Sequence, residues 1–131
     1  MRVGVVGYSA QKFDVEKAKR IIKSIFDELQ KQYGNDITIV SGLTAMGIPL
    51  LAYEEARRRG WKTIGIACRK AYDYERFPVD EEIIVGENWG DESETFLQSI
   101  DILVRIGGGR QSESETLKAK EIGLKVIEKN I

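Results

Sequence analysis

The residues best placed to do chemistry lie in one ten-residue run, "IGGGRQSESE", from Ile106 to Glu115. Three glycines, Gly107, Gly108 and Gly109, follow an apolar segment, and a hydroxyl, Ser112, and a carboxylate, Glu115, stand three residues apart behind them. A glycine-rich turn between a strand and a helix N-terminus suits an anion, because backbone N–H groups approach it closely and the helix dipole favours its charge. Each glycine loses conformational entropy on folding, so three in a row exceed what a tight turn needs, and a phosphate is the expected ligand. A bare strand-to-helix turn is the simpler alternative. Ser112 reads as the helix N-cap, a role compatible with donating to a phosphate oxygen. By spacing alone Glu115 completes a capping box on the Ser112 backbone. Its alternative role is to face the ligand from the first helical turn, where it could hold a ribose hydroxyl or activate water.

Other turns offer similar material. Ser41 and Gly42, followed by Met46 and Gly47, form a second small-residue turn ahead of a helix, and Pro49 fits a first-turn position where a missing N–H does no harm. This is either a tight connection or a second patch of backbone donors. Gly7, Tyr8 and Ser9 follow the first apolar run and offer a ring and a hydroxyl. Arg69 and Lys70 read as a solvated pair, Asp91 as an N-cap, and Trp89 as a cover for the sheet edge or a surface for a base. Cys68 ends an apolar run and reads as packing.

The elements that must position these residues alternate regularly. "RVGVVG" has strand composition, and Asp14 precedes a helical pattern of Val15, Ala18, Ile21, Ile22, Ile25, Phe26 and Leu29 that ends near Gly34. "DITIVSG", "KTIGIAC", "EEIIVG", "DILVRI" and "LKVIEK" read as further strands. Helices are expected in "TAMGIPLLAYEEARRRG", "DESETFLQS" and "SESETLKAKEIG", with a loop from Arg69 to Pro78. Such alternation predicts a single α/β domain with a mainly parallel sheet covered on both faces, and ligands in such sheets bind outside the carboxyl ends of the strands. The glycine-bearing turns all fall on that edge.

Composition narrows the function classes. The chain has 131 residues, 42% hydrophobic and 31% charged, enough for one domain with a real core. Twenty basic and twenty-one acidic residues give a net charge of -1, which speaks against a nucleic-acid partner. Met1 and Arg2 lead straight into a strand-length run and no apolar stretch approaches a membrane span, so a cytoplasmic protein is expected. One cysteine and no histidine exclude an internal disulfide and any histidine-dependent catalysis or zinc site. The motifs require no cofactor, and a magnesium ion carried in on a phosphate would leave no mark in the sequence.

Taken together, "VGVVGYS", "VSGLTAMGIPLLAYEEARRRG", "WKTIGI" and "IGGGRQSESE" resemble the SLOG superfamily of Rossmann-like nucleotide-binding proteins. That group includes the "Lonely guy" phosphoribohydrolases, the lysine decarboxylase-like sequences, the molybdenum-cofactor carrier proteins and the DNA-processing protein A family. Against the family's G-G-G-x-G-T-x-x-E, Gly107 to Gly109 match the glycines, Ser112 stands for the threonine, Glu115 matches the glutamate, and Gln111 replaces a glycine. The resemblance implies a Rossmann-like three-layer domain, a homodimer or higher homo-oligomer, and a small phosphorylated ligand, and it makes Glu115 a site residue. In the phosphoribohydrolase branch the glutamate works with an arginine that would fall near Glu92 here, where "GDESETFLQS" holds no basic residue. Binding of a nucleotide as sensor or carrier is therefore the leading expectation; the alternative is a phosphoribohydrolase that cleaves the N-glycosidic bond of a nucleoside monophosphate through Glu115.

Overall fold

A computed structural model describes residues 1–131. Six strands, β1 (Arg2–Gly7), β2 (Thr38–Ser41), β3 (Lys62–Ala67), β4 (Glu81–Ile84), β5 (Ile102–Ile106) and β6 (Lys125–Lys129), form one sheet in the order β4-β3-β2-β1-β5-β6. Every pairing in it is parallel. Between the strands run α1 (Val15–Tyr33), α2 (Gly47–Arg58), α3 (Ser93–Gln98) and α4 (Arg110–Glu121).

The strand alternation decides which helix lies on which face. Val3 and Val5 of β1 and Ile102, Val104 and Ile106 of β5 enter one core with Ile22, Phe26 and Leu29 of α1 and Ile48, Ala52 and Tyr53 of α2. Val6 and Leu103, which point the other way, enter a second core with Phe96 and Leu97 of α3 and Ala119 of α4. Two helices therefore cover each face, which makes the domain a three-layer, Rossmann-like α/β structure.

Local chemistry sets the helix ends. Asp14 accepts a hydrogen bond from the Lys17 N–H at 3.0 Å and starts α1, and Gly34, at φ 76°, ends it. Two expected caps differ. Asp91 does not cap α3: its Oδ2 accepts from the Glu87 and Asn88 N–H groups, both at 3.0 Å, and pins the turn before the helix. Ser112 is not the cap of α4, which begins two residues earlier with Gly109 in the cap position. Ser112 Oγ instead reaches back, accepting from the Gly109 N–H at 2.8 Å. The segment Arg69 to Pro78 is also more ordered than a loop: Arg69–Asp73 forms a 3-10 helix, and Thr44 bridges to Arg76.

The topology has one switch point. From β1 the chain steps outward through β2, β3 and β4, then returns to β5 on the other side of β1. Ligand crevices in open parallel sheets lie beyond the carboxyl ends of the strands at such a reversal.

Candidate functional site

A cleft of about 370 Å³ opens at that reversal, a volume within the roughly 300–1,000 Å³ typical of small-molecule sites. Its walls come from the ends of β1, β2 and β3, the start of α2, the loop before α3, Phe96 of α3 and the first two turns of α4. No lysine or arginine lines it.

Of the residues singled out from sequence, Gly7, Ser9, Ser41, Gly42, Met46, Ser112 and Glu115 line the cleft. Tyr8, Gly47, Gly107, Gly108 and Gly109 lie outside its lining. Gly107 has φ 64°, and a side chain there would run into the Tyr8 ring, which also stacks on Phe13 at 5.8 Å between centroids. The bare backbone at Gly107 thus makes room for a tyrosine of the same chain. The Gly107 N–H donates to the Lys129 carbonyl at 2.8 Å and the Gly109 N–H is taken by Ser112. Gly47, at φ 65°, lets α2 pass against the backbone of Tyr8 and Ser9, where any β-carbon would collide with the Tyr8 carbonyl. The Ile48 N–H donates to that same carbonyl at 2.7 Å, so the start of α2 is fastened to the end of β1.

At the β2 end, Ser41 Oγ donates to the Val5 carbonyl at 2.6 Å, tying the two central strands together. The buried Tyr53 hydroxyl lies 2.8 Å from the Gly42 carbonyl and 3.0 Å from that of Ile64, and holds the turn from behind. With the Gly42 carbonyl so engaged, the N–H groups of Gly42, Leu43 and Thr44 have no acceptor within the chain. All three residues line the cleft, and Leu43 is only 1% exposed. Three successive unpaired donors form an anion-accepting concavity.

The opposite wall is acidic. Glu115, from the second turn of α4, and Glu92, just ahead of α3, are 6% and 5% exposed. Ser93 Oγ donates to Glu115 Oε2 at 2.8 Å. Gln111 Nε2 donates to Glu92 Oε1 at 2.8 Å, and the Gly90 N–H approaches both Glu92 oxygens at 3.3 Å. Burial raises the Glu115 carboxyl from an ordinary 4.5 to about 7; Ser93 and Gln111 favour its charged form, while the neighbouring Glu92 adds to the rise. Glu115 is therefore a buried carboxyl that changes charge near neutral pH, the property required of a general acid or base. Burial also pushes the Cys68 thiol up, with Glu92 and Asp91 adding to it, so Cys68 is a packing residue rather than a nucleophile.

Aromatic side chains stand at the mouth. Tyr74 and Trp89 are 49% and 46% exposed, line the cleft, and face each other with centroids 6.0 Å apart. Glu92, Gln111, Ser93, Thr44 and Tyr74 were not among the site residues expected from sequence. For two of them a signal exists: Glu92 and Gln111 are the very positions at which the motifs depart from the family pattern, and the structure brings them into direct contact.

Solved structures resemble the chain throughout. The structural-genomics target TM1055 is 25% identical, with a TM-score of 0.76 over 95% of this chain and 71% of that one. Two structures of the molybdenum cofactor carrier protein from Chlamydomonas reinhardtii are 20% and 17% identical, with TM-scores of 0.77 and 0.69. They align over 97% and 98% of this chain and 74% and 75% of their own. No protein-family model matches the sequence, and no curated protein matches it. No helix is long and apolar enough to cross a membrane. With its parallel six-stranded sheet covered by helices on both faces, the chain is a Rossmann-like α/β domain that shares its fold with these neighbours.

Proposed function

We propose that the chain binds a nucleotide, or a closely related phosphorylated heterocycle, in the cleft at the carboxyl edge of the sheet and holds it as a sensor or carrier. One observation carries this reading: a single cleft at the switch point gathers unpaired backbone donors, an aromatic pair and two buried acceptor carboxylates. A nucleotide presents a phosphate, a flat ring and that ring's hydrogen-bonding edge, and each has a matching surface here. The carrier role is supported at the level of fold by the neighbours whose structures are described as those of a molybdenum cofactor carrier protein.

No basic side chain lines the cleft to anchor a substrate phosphate while the base departs and the sugar develops oxocarbenium charge, which favours holding over cleavage. A second reading is favoured by Glu115 alone. A buried carboxyl poised near neutrality could activate water for cleavage of an N-glycosidic bond. A thermal-shift screen of nucleoside mono-, di- and triphosphates tests the first reading: ligands that occupy the cleft raise Tm, and an unshifted protein across the whole panel would refute it. Chromatography of the hits decides between the two, since free base released by the wild type and lost in Glu115→Gln marks hydrolysis.

A further inference from the structure

The cleft brings together two kinds of group that oppose each other. Unpaired N–H groups border it on both sides: those of Gly42, Leu43 and Thr44 at the end of β2, and those of Gln111 and Ser112 in the first turn of α4. Either set can receive an anion. The only charged side chains in the lining are Glu92 and Glu115, and both are buried. One amide joins them: Gln111 Nε2 donates to Glu92 Oε1 at 2.8 Å, and Gln111 also hydrogen-bonds the Glu115 carboxyl. Wherever a ligand's phosphate settles, it shares one cleft of about 370 Å³ with this pair and with no basic side chain. A phosphate and two carboxylates in so small a space repel one another strongly.

No neighbour supplies a balancing positive charge. The donors to the two carboxylates, Ser93, Gln111 and the Gly90 N–H, are all neutral. In the loop ahead of α3, Asp91 is turned to the Glu87 and Asn88 N–H groups, and Glu94 of α3 is exposed. On α4, Arg110, Glu113 and Lys118 are exposed and outside the lining, while Lys120 and Arg105 of β5 pair with Glu128. The ends of β1 and β2 and the start of α2 bring Ser9, Ser41 and Thr44 to the lining and no ionisable group. Past β3, Tyr74 stands at the mouth, and the Cys68 thiol feels the same Glu92 and Asp91. Glu92 is the one charged group that acts on Glu115, and it carries the same sign.

Resting on the nucleotide-binding reading above, we infer that the cleft takes up a proton together with its ligand: as the phosphate enters, one solvent proton passes to the Glu115 carboxylate. Glu115 rather than Glu92 receives it because a backbone N–H spans both Glu92 oxygens beside the Gln111 amide. Glu115 has only the Ser93 hydroxyl and a share of that amide. The free site is poised for the step, since burial already holds the Glu115 carboxyl at about 7, and a phosphate beside it raises it further. Protonation removes one carboxylate charge and gives the group an O–H to donate. The coupling acts on the phosphate alone. Affinity for a nucleotide falls as pH rises past neutrality, whereas a nucleoside that lacks the phosphate is held almost equally across that range.

Calorimetric titrations of the wild-type chain with AMP, GMP and adenosine at pH 8, in HEPES and again in Tris, count the protons, because buffers of unlike ionisation enthalpy give different heats when a proton is exchanged. At that pH a nucleotide phosphate is already fully ionised, so uptake approaching one proton per nucleotide is expected, with almost none for adenosine. From pH 7 to pH 8.5 the Kd of AMP should rise about tenfold and that of adenosine by less than about twofold. Glu115→Gln should abolish both the uptake and the pH dependence, and should bind AMP more tightly than the wild type at pH 8.5. Nucleotide binding with equal heats in the two buffers would overturn the proton coupling and leave the nucleotide reading intact. Uptake that persists in Glu115→Gln would place the proton on Glu92 or on the ligand and overturn the assignment to Glu115. Binding that appears only with added MgCl2, without proton uptake, would make a divalent cation the balancing charge and overturn the coupling likewise. Binding of none of the probes at any pH would overturn the nucleotide reading and this inference together.

Discussion

Ser93 Oγ donates a 2.8 Å hydrogen bond to Glu115 Oε2, bridging α3 and α4 at the acidic wall of the cleft. Burial is what raises the Glu115 carboxyl, and the bond from Ser93, by favouring the charged carboxylate, keeps it below where burial alone would put it. Ser93→Ala should push the Glu115 carboxyl further above 7, by about one pH unit if the bond contributes the ~1.5 kcal/mol usual for a charged acceptor. Carbon-detected NMR titration of the side-chain carboxyl reads this directly. An unmoved or lowered midpoint would show that Ser93 does not act on Glu115.

Glu115 also costs stability in a pH-dependent way. Its pKa is raised from 4.5 to about 7 in the folded chain. Below pH 4.5 both folded and unfolded states hold the proton and no penalty exists. Between the two values the unfolded chain gives up its proton first, so stability falls as pH rises. Above 7 the full penalty applies, on the order of 3 kcal/mol. Glu115→Gln removes the titration while keeping shape and an acceptor for Ser93. The variant should be more stable than the wild type by roughly 2–3 kcal/mol at pH 8, and the gap should close towards pH 4.5. Urea unfolding of both proteins at the two pH values checks it; a gap independent of pH would contradict it.

The fastening of α2 to β1 depends on Gly47. At φ 65°, with the Tyr8 carbonyl and Ser9 backbone against it, any side chain forces the two elements apart. Gly47→Ala should destabilise by about 2 kcal/mol or more through strain and collision together. Gly42→Ala, in open space, should fall within about 0.5 kcal/mol of the wild type. Thermal unfolding of the pair distinguishes them, and equal losses would mean that Gly47 carries no such constraint.

The two tryptophans differ sharply in exposure, with Trp61 at 4% and Trp89 at 46% in the cleft mouth. A ring bound beside Trp89 should quench its emission, and Trp89→Phe should abolish the quench while Trp61 emission stays constant. A quench that survives in Trp89→Phe would place the ring elsewhere.

Most of the fold was legible from sequence because its signals are local. Asp14 and Gly34 bracket α1 with their own chemistry, and the apolar runs of β1, β3 and β5 are buried on both faces as parallel strands require. What was not legible depends on contacts between distant segments. Three glycines in a row read as a ligand cradle, yet the space beside Gly107 is filled by Tyr8, a residue 99 positions earlier that no spacing rule connects to it. Ser112 has the composition of a cap, but the helix gains a turn ahead of it because Ser112 can satisfy the Gly109 N–H from inside. Asp91 was expected to cap α3 and is drawn instead to two N–H groups of its own turn. The acidic wall was half visible: Glu115 stood out by motif, while Glu92 and Gln111 registered only as departures and became a pair once α3 and α4 were packed together.

The cleft at the β1–β5 reversal is the proposed seat of a phosphorylated heterocycle. The most direct measurement is a calorimetric titration of the purified wild-type protein with GMP at pH 7, repeated with Gly42→Asp. Saturable binding of one ligand per chain, weakened at least about tenfold by Gly42→Asp, is the predicted result. Absence of binding heat at millimolar GMP and AMP, or binding indifferent to a carboxylate at position 42, would contradict it.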